Sequence, residues 1–195
     1  MIMALTESMM IALGSPIPDF QLPDTDGAFY SSDDFSDRPV LVMFICNHCP
    51  YVKHIAKELS ALSRDFAQAR IAMIAIQSND IEEYPEDRPE LMHAEKETRD
   101  YRFPYLFDES QQVAKDFQAT CTPDFFLFDG DQRLVYRGRI DETRPTRIAS
   151  GIYDSSGQEA HGRDLREAIK ATLQGEPVNP QQFPSVGCNI KWKPE

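Results

Sequence analysis

Two cysteines separated by two residues are the part of this sequence best suited to chemistry. Cys46 and Cys49 flank Asn47 and His48, and the motif lies between an apolar strand pattern and a helical pattern. Two thiols at this spacing can close into a small disulfide ring when a strand leads into a helix there. The motif therefore predicts thiol–disulfide exchange.

The roles of the two thiols follow from the expected helix start near Pro50. Backbone N–H groups without partners and the helix dipole stabilise negative charge at a helix N-terminus. A free cysteine, with a pKa of about 8.5, is mostly protonated at neutral pH, so this stabilisation matters. We expect Cys46 to be the exposed nucleophile and Cys49, one turn inside the helix, to be the resolving thiol. His48 lies between them, and we expect it to support the thiolate.

The elements that must position the dithiol can be predicted from hydrophobic periodicity. Val40–Ile45 is a continuous apolar run typical of a buried strand, and Pro50 suits the first turn of the helix that follows. The remaining predictions are short extended pieces or a hairpin over Gly14–Phe35, a strand over Arg70–Gln77, helices over Pro89–Tyr101, Gln111–Gln118 and Arg163–Leu173, a hairpin of Asp124–Phe128 and Leu134–Ile140, a polar loop over Thr143–Gly162, and a Pro-rich tail on the surface.

This order of elements resembles the thioredoxin fold over roughly Gly14–Gly175. The specific markers are Phe44–Cys49 and Cys121–Gly130, and together they resemble the redoxin branch related to peroxiredoxins, the alkyl hydroperoxide reductase and thiol-specific antioxidant family. The resemblance implies a single α/β domain over residues 1–195, with a core of about 14–175 and a tail of 176–195. It implies a central mixed sheet flanked by helices, with an extended N-terminal extension. It also implies that Pro123 is cis and lies against the active-site sulfurs.

The two other cysteines have less certain contexts in the sequence alone. Cys121 stands two residues before Pro123, so the fold brings it toward the active-site face; its alternatives are a redox role and a small buried residue. Cys188 belongs to a hydrophobic island in the polar tail. If the tail packs on the domain, Cys188 is a candidate third redox thiol or a partner of Cys121.

Composition argues against several classes of function. The net charge of -12 and the pI near 4.7 disfavour binding to nucleic acid or to an anionic membrane surface, because the long-range field repels both. Met1–Phe20 lacks a basic n-region, and no stretch approaches the roughly 20 apolar residues of a transmembrane helix. We therefore expect a cytoplasmic protein, in which a disulfide is more often catalytic than structural.

Three functions remain open at this stage. The first is a thiol–disulfide oxidoreductase that needs no cofactor and uses a disulfide substrate and a thiol electron donor. The second is a peroxiredoxin-like peroxidase in which Cys46 becomes a sulfenic acid that Cys49 resolves. By the resemblance, peroxidases carry Thr and Arg where this chain has Met43 and Pro123, so the developing oxyanion lacks that support. The third is a metal-binding or redox-sensing module that uses Cys46, His48 and Cys49 as ligands.

Overall fold

The computed structural model describes residues 5–194 and has a mixed sheet at its centre. In chain order the strands and helices are β1 (Leu5–Glu7), β2 (Gln21–Pro23), β3 (Phe29–Ser31), β4 (Val40–Phe44), α1 (Pro50–Asp65), β5 (Ala72–Gln77), α2 (Pro89–Arg99), β6 (Tyr105–Phe107), α3 (Gln112–Asp116), β7 (Cys121–Thr122), β8 (Asp124–Phe128), β9 (Leu134–Gly138), β10 (Thr146–Ala149), β11 (Ile152–Asp154), α4 (Arg163–Gln174) and β12 (Val186–Asn189).

The central sheet has the strand order β6-β5-β4-β8-β9. Strands β4, β5 and β6 run parallel to one another, whereas β8 runs antiparallel to both β4 and β9. All of β4 is buried, as its uninterrupted apolar sequence predicts for a strand covered on both faces. Two neighbours therefore hold the strand that leads into the cysteine motif.

Alternate residues of β4 pack into separate hydrophobic layers on the two faces of the sheet, because successive side chains of a strand point to opposite sides. Leu41 and Met43 join the layer beneath α1 and α4, and Val40, Val42 and Phe44 join the opposite layer. The second layer is rich in aromatic rings, including Phe20, Phe117, Phe126 and Phe128. The dithiol lies at one end of this doubly covered strand.

The predicted helices are present with small changes at their ends. Helix α1 begins at Pro50, and Ile55, Leu59 and Leu62 form its buried stripe. Helix α4 ends before Gly175, which adopts a left-handed φ of 69° that favours glycine. The hairpins β2–β3 and β8–β9 also agree with the sequence predictions.

The structure corrects three predictions about the irregular segments. The polar loop 143–162 contains the hairpin β10–β11, the strands β1 and β6 were not predicted, and part of the tail is strand β12 instead of a surface segment. Strand β12 pairs with β1 on one side and β7 on the other. Strands β1, β7 and β12 are short and gain stability by pairing with segments far away in the chain, so no periodic pattern in the sequence marks them. Residues 1–4 of the predicted N-terminal segment and residue 195 of the tail lie outside the described residues.

Within residues 5–194, no helix combines the length and the apolar character needed to cross a membrane.

Candidate active site

The cysteine motif connects the end of β4 to the start of α1. Cys49 is the N-cap of α1, and both Cys46 and Cys49 are buried, with exposures of 1% and 0%. The prediction that Cys49 lies inside the helix was wrong, because Pro50 fixes the first helical residue and leaves Cys49 in an extended conformation before it. The expectation of an exposed Cys46 was also wrong.

Thr122 contacts both sulfurs. The Cys46 Sγ lies 3.3 Å from the Thr122 hydroxyl, and the Cys49 thiol, when protonated, donates to the Thr122 carbonyl at 3.2 Å. The Thr122–Pro123 peptide bond is cis, which confirms the prediction for Pro123. The structure therefore brings Cys46, Cys49 and Pro123 together, as the resemblance implied, and adds Thr122 to the site.

The two sulfurs have opposite electrostatic environments. Burial raises the pKa of Cys46 well above its ordinary value, and the adjacent Cys49 and the charge of Asp87 add to the increase. Burial acts in the same direction on Cys49, but contacts from the Cys188 and Cys46 thiols and the Val52 N–H lower the pKa of Cys49 well below its ordinary value. The helix N-terminus thus stabilises negative charge on Cys49, whereas the sequence predicted this effect for Cys46.

A buried carboxylate holds the loop between the two cysteines. Asp87 is fully buried, and its Oδ1 accepts hydrogen bonds from the backbone N–H groups of Asn47 and His48 at 2.8 and 3.2 Å. Its Oδ2 lies 2.6 Å from the His48 Nδ1 and accepts from the Asn79 amide at 2.8 Å. These four contacts fix the backbone and the imidazole in one arrangement. Charge-assisted hydrogen bonds of this kind are the strong ones.

His48 faces Asp87 and Tyr84. Its ring stacks on Tyr84 with a centroid distance of 4.9 Å, and the Lys191 ammonium lies 5.6 Å from the Tyr84 ring centroid. The His48 Nε2 is buried and has no hydrogen-bond partner among the described residues. The His48 ring thus contacts Asp87 and Tyr84, and its predicted support of the Cys46 thiolate remains a prediction.

Cys121 and Cys188 are both buried but have different surroundings. The Cys121 thiol lies 3.8 Å from the Pro123 carbonyl, and burial together with Asp124 raises the pKa of Cys121. The Cys188 thiol hydrogen-bonds to Cys49, and this contact and burial raise the pKa of Cys188. All four cysteines are free thiols. The tail thus packs on the domain and delivers Cys188 to the predicted dithiol.

One group of donors near the motif has metal-ligand chemistry. Single donor atoms of Cys46, His48 and Asp87 lie within 4.8 Å of one another, so Asp87 takes the place that the sequence hypothesis gave to Cys49. However, both Asp87 oxygens already accept hydrogen bonds from the loop. This occupation favours a role in holding the loop over a role as a ligand.

Sequence reasoning missed the residues that fix the motif from outside. These are Gln77, Asn79, Tyr84, Asp87 and Lys191. Asn79, Tyr84 and Asp87 belong to the polar segment after β5, for which the sequence predicted no contact with the motif. A polar residue that hydrogen-bonds to buried groups has the same kind of local sequence as one in an exposed turn. The sequence therefore gave no sign of these contacts.

Three comparisons with known proteins extend these observations. The sequence profile of the AhpC/TSA family matches residues 13–137. A search of curated proteins gave no significant match.

Two solved structures are similar over almost the whole chain. An uncharacterized conserved protein from Geobacillus kaustophilus is 45% identical with a TM-score of 0.91, and the match covers 99% of this chain and 98% of that one. A hypothetical protein from Sinorhizobium meliloti 1021 is 43% identical with a TM-score of 0.89, covering 97% and 100%. A thiol:disulfide interchange protein of the thioredoxin family from Chlorobium tepidum TLS is 15% identical with a TM-score of 0.60, covering 84% and 99%. This last similarity shows that the fold is thioredoxin-like.

Proposed function

The chain belongs to the AhpC/TSA family, and from that premise we propose that it is a thiol–disulfide oxidoreductase with Cys46 as the attacking and Cys49 as the resolving thiol. The family and the thioredoxin-like fold support an oxidoreductase in general terms. The observation that carries the specific proposal is the contact between the two thiols beside Thr122 and cis Pro123. The position of Cys49 at the helix N-terminus makes it the more acidic thiol of the pair.

The first step is a proton transfer within the pair. Cys49, the more acidic sulfur, is the thiolate at rest, and an unfavourable transfer of the Cys46 proton to Cys49 gives a small population of the Cys46 thiolate, to which the Thr122 hydroxyl donates. The Cys46 thiolate attacks a substrate disulfide, so a mixed disulfide forms and one substrate sulfur leaves as a thiolate. That thiolate takes the proton from Cys49. Because Cys46 is 1% exposed, the residues around it must move before a substrate disulfide can reach its sulfur.

The second step releases the substrate. The Cys49 thiolate attacks the Cys46 sulfur of the mixed disulfide, the Cys46–Cys49 disulfide forms, and the second substrate sulfur leaves and is protonated. Two electrons have passed from the protein to the substrate, and a thiol electron donor must return them. In our proposal Pro123 and Thr122 position the sulfurs, His48 supports the Cys46 thiolate, and the reaction takes place in the cytoplasm, where thiol donors are abundant.

Reduction of insulin by dithiothreitol tests the proposal. We expect Cys46→Ser and Cys49→Ser to lose turnover and Cys121→Ser to keep it, because the Cys121 thiol contacts the Pro123 carbonyl and not the pair. Cys49→Ser should also accumulate a Cys46–insulin mixed disulfide that mass spectrometry identifies. Unchanged turnover in Cys46→Ser would rule out the mechanism.

One observation favours peroxide reduction as a second candidate. The Thr122 hydroxyl, 3.3 Å from the Cys46 Sγ, is a hydrogen-bond donor placed where a peroxide oxygen would develop charge. Hydrogen peroxide consumption by the reduced protein distinguishes this reaction from insulin reduction. The metal content of protein purified without added metal tests the third hypothesis, for which Cys46, His48 and Asp87 supply the donors.

A further inference from the structure

The C-terminal strand occupies the backbone edge beside the dithiol. Strand β12 runs antiparallel to β7 with Cys188 opposite Thr122 and Asn189 opposite Cys121. Thr122 is the residue whose hydroxyl and carbonyl contact the Cys46 and Cys49 sulfurs. An open strand edge is a natural docking place for an extended peptide, and here the chain fills it with its own segment.

This segment brings a third thiol to the pair. Cys188 lies opposite Thr122 and belongs to the same buried cluster as Cys46 and Cys49, and its thiol and backbone N–H lower the pKa of Cys49. Cys188 is 2% exposed, so this cluster lies under the surface. A thiol in this position is placed to attack a Cys49 disulfide.

Gly187 allows the close approach of β12. A Cβ atom at this position would clash with the carbonyl oxygen and carbon of Thr122 and would lie 3.2 Å from the Pro123 ring. Only glycine lacks that atom. The absence of a side chain at Gly187 therefore allows β12 to bring Cys188 close to Cys49.

The end of β12 is fixed to the rest of the molecule. The Lys191 N–H donates to the Asn79 side chain at 2.8 Å, and the Lys191 carbonyl accepts from the Asp80 N–H and the Gln111 amide, each at 2.8 Å. On its other edge β12 pairs with β1. Cys188 is thus held in position by a paired strand.

We propose that Cys188 is a third redox thiol, which β12 presents to Cys49 as an internal exchange partner for the Cys46–Cys49 disulfide. The inference rests on the proposed function, because turnover on a substrate produces that disulfide. Cys188 attacks the Cys49 sulfur and gives up its proton, which Cys46 takes up as it leaves. The Cys49–Cys188 bond forms as the Cys46–Cys49 bond breaks, and Cys46 leaves as a thiolate that takes up a proton. No electrons enter or leave the protein, so the step needs no further oxidant or reductant.

The exchange has a functional consequence. After it, the disulfide joins the start of α1 to β12, and Cys46 is again a thiol. The thiol electron donor of the proposed function then meets a disulfide that includes Cys188. Cys121 is not an equivalent partner, because neighbouring residues of a strand point to opposite faces and only Thr122 of β7 contacts the pair.

The Cys46→Ser variant isolates the Cys49–Cys188 bond that the exchange forms. It retains three of the four thiols, and we treat it with diamide, which oxidises neighbouring thiol pairs. We expect the thiol count in denaturant to fall from three to one in a monomeric protein, with a Cys49–Cys188 cross-linked peptide in the digest. The matched control Cys46→Ser/Cys121→Ser should fall from two thiols to none, and Cys46→Ser/Cys188→Ser should keep both thiols in the monomer.

Three free thiols in oxidised monomeric Cys46→Ser, or a Cys49–Cys121 peptide in its place, would overturn the inference. If Cys46→Ser fails to fold, the wild type decides the question: after one equivalent of diamide, acid quench and alkylation, we expect both Cys46–Cys49 and Cys49–Cys188 peptides. A wild type that yields only the first peptide would also overturn it. Insulin turnover by the wild type tests the proposed function separately. Failure of the proposed function and failure of the Cys188 exchange can therefore be told apart.

Discussion

At the scale of single residues, the Thr122 hydroxyl opposes the effect of burial on Cys46. It lies 3.3 Å from the Sγ and lowers the pKa of Cys46, while burial, which is the larger effect, raises it. Thr122→Val removes the hydroxyl and keeps the shape of the side chain. We expect the midpoint of Cys46 alkylation against pH to move upward in Thr122→Val, measured with iodoacetamide in a Cys49→Ser background.

The matched control is Thr122→Ser, which retains a hydroxyl and should keep the alkylation profile of the parent. If the Val and Ser variants share one profile, the hydroxyl does not stabilise the thiolate. With Cys49 retained, Thr122→Val should reduce insulin more slowly at neutral pH than Thr122→Ser.

Asp87 has two effects on the site, one structural and one electrostatic. It accepts four hydrogen bonds from the motif loop and its neighbours, and its charge contributes to the raised pKa of Cys46. Asp87→Asn loses part of this network, so we expect a loss of about 2 kcal/mol or more in the free energy of unfolding, measured in urea. The same change removes a negative charge, so we expect the midpoint of Cys46 alkylation to move to lower pH.

Glu86→Gln is the matched control for Asp87→Asn. Glu86 is adjacent and exposed and offers its backbone carbonyl, not its carboxylate, to the Asn47 side chain at 3.0 Å. Its variant should change stability by less than about 0.5 kcal/mol. An Asp87→Asn protein as stable as Glu86→Gln would show that the network does not hold the loop.

The residues with chemistry were easier to predict than the residues that support them. The spacing of Cys46 and Cys49 is typical of thiol–disulfide exchange, and the resemblance to the family predicted that Pro123 is cis. Asp87 contacts Asn47 and His48 from 39–40 positions away in the chain, so its role depends on tertiary structure alone. The same is true of the contact from Cys188, which helps to make Cys49 and not Cys46 the more acidic thiol.

At the scale of elements, the position of β12 depends on Gly187. Gly187→Ala places a methyl group against the Thr122 carbonyl, so β12 must move away from β7 and Cys188 from Cys49. We expect a loss of about 1–3 kcal/mol in the free energy of unfolding, typical of overpacking. We also expect slower formation of the Cys49–Cys188 disulfide in a Cys46→Ser background, measured by the rate of thiol loss in diamide.

Gly157→Ala is the matched control for the glycine prediction. A Cβ at Gly157 meets no atom within 4 Å, and the residue lies in an exposed loop. Its stability and its rate of disulfide formation should equal those of the parent. Equal rates in the Gly187 and Gly157 variants would mean that close packing of β12 is not required for exchange.

Long elements were predictable and short paired strands were not. The apolar run of β4 and the helical stripe of α1 each carry a periodic signal of their own. Strand β12 has four residues, and its partners β1 and β7 lie far away in the sequence. Its sequence, Val-Gly-Cys-Asn, includes two residues that are depleted in strands. Backbone pairing and the space left by Gly187 determine its place.

At the scale of the whole molecule, one buried acid makes stability depend on pH. Asp124 follows cis Pro123, is fully buried in the central sheet, and its Oδ2 has no hydrogen-bond partner among the described residues. Burial raises the pKa of Asp124 well above its ordinary value, so the folded chain binds this proton more tightly than the unfolded chain. The contribution of Asp124 to stability therefore falls as pH rises above the unfolded value near 3.8, and the full cost is present above the folded pKa.

Asp124→Asn removes this cost with a neutral side chain of the same shape. We expect a higher free energy of unfolding than the wild type at pH 8, with the gain decreasing toward pH 4, measured by urea unfolding across that range.

Asp141→Asn provides a control of opposite sign. Burial opposes ionisation of Asp141, but hydrogen bonds from the Thr143 hydroxyl and the backbone N–H groups of Gly162, His161 and Thr143 lower its pKa. Asp141 therefore stabilises the fold above the unfolded value near 3.8, and this contribution is lost on acidification below that value. Asp141→Asn should lose the same stability at pH 8 and at pH 4, and the loss should shrink only below about pH 3.8. If Asp124→Asn is no more stable than the wild type at pH 8, the carboxyl group has an ionised-state partner and the buried-acid interpretation is wrong.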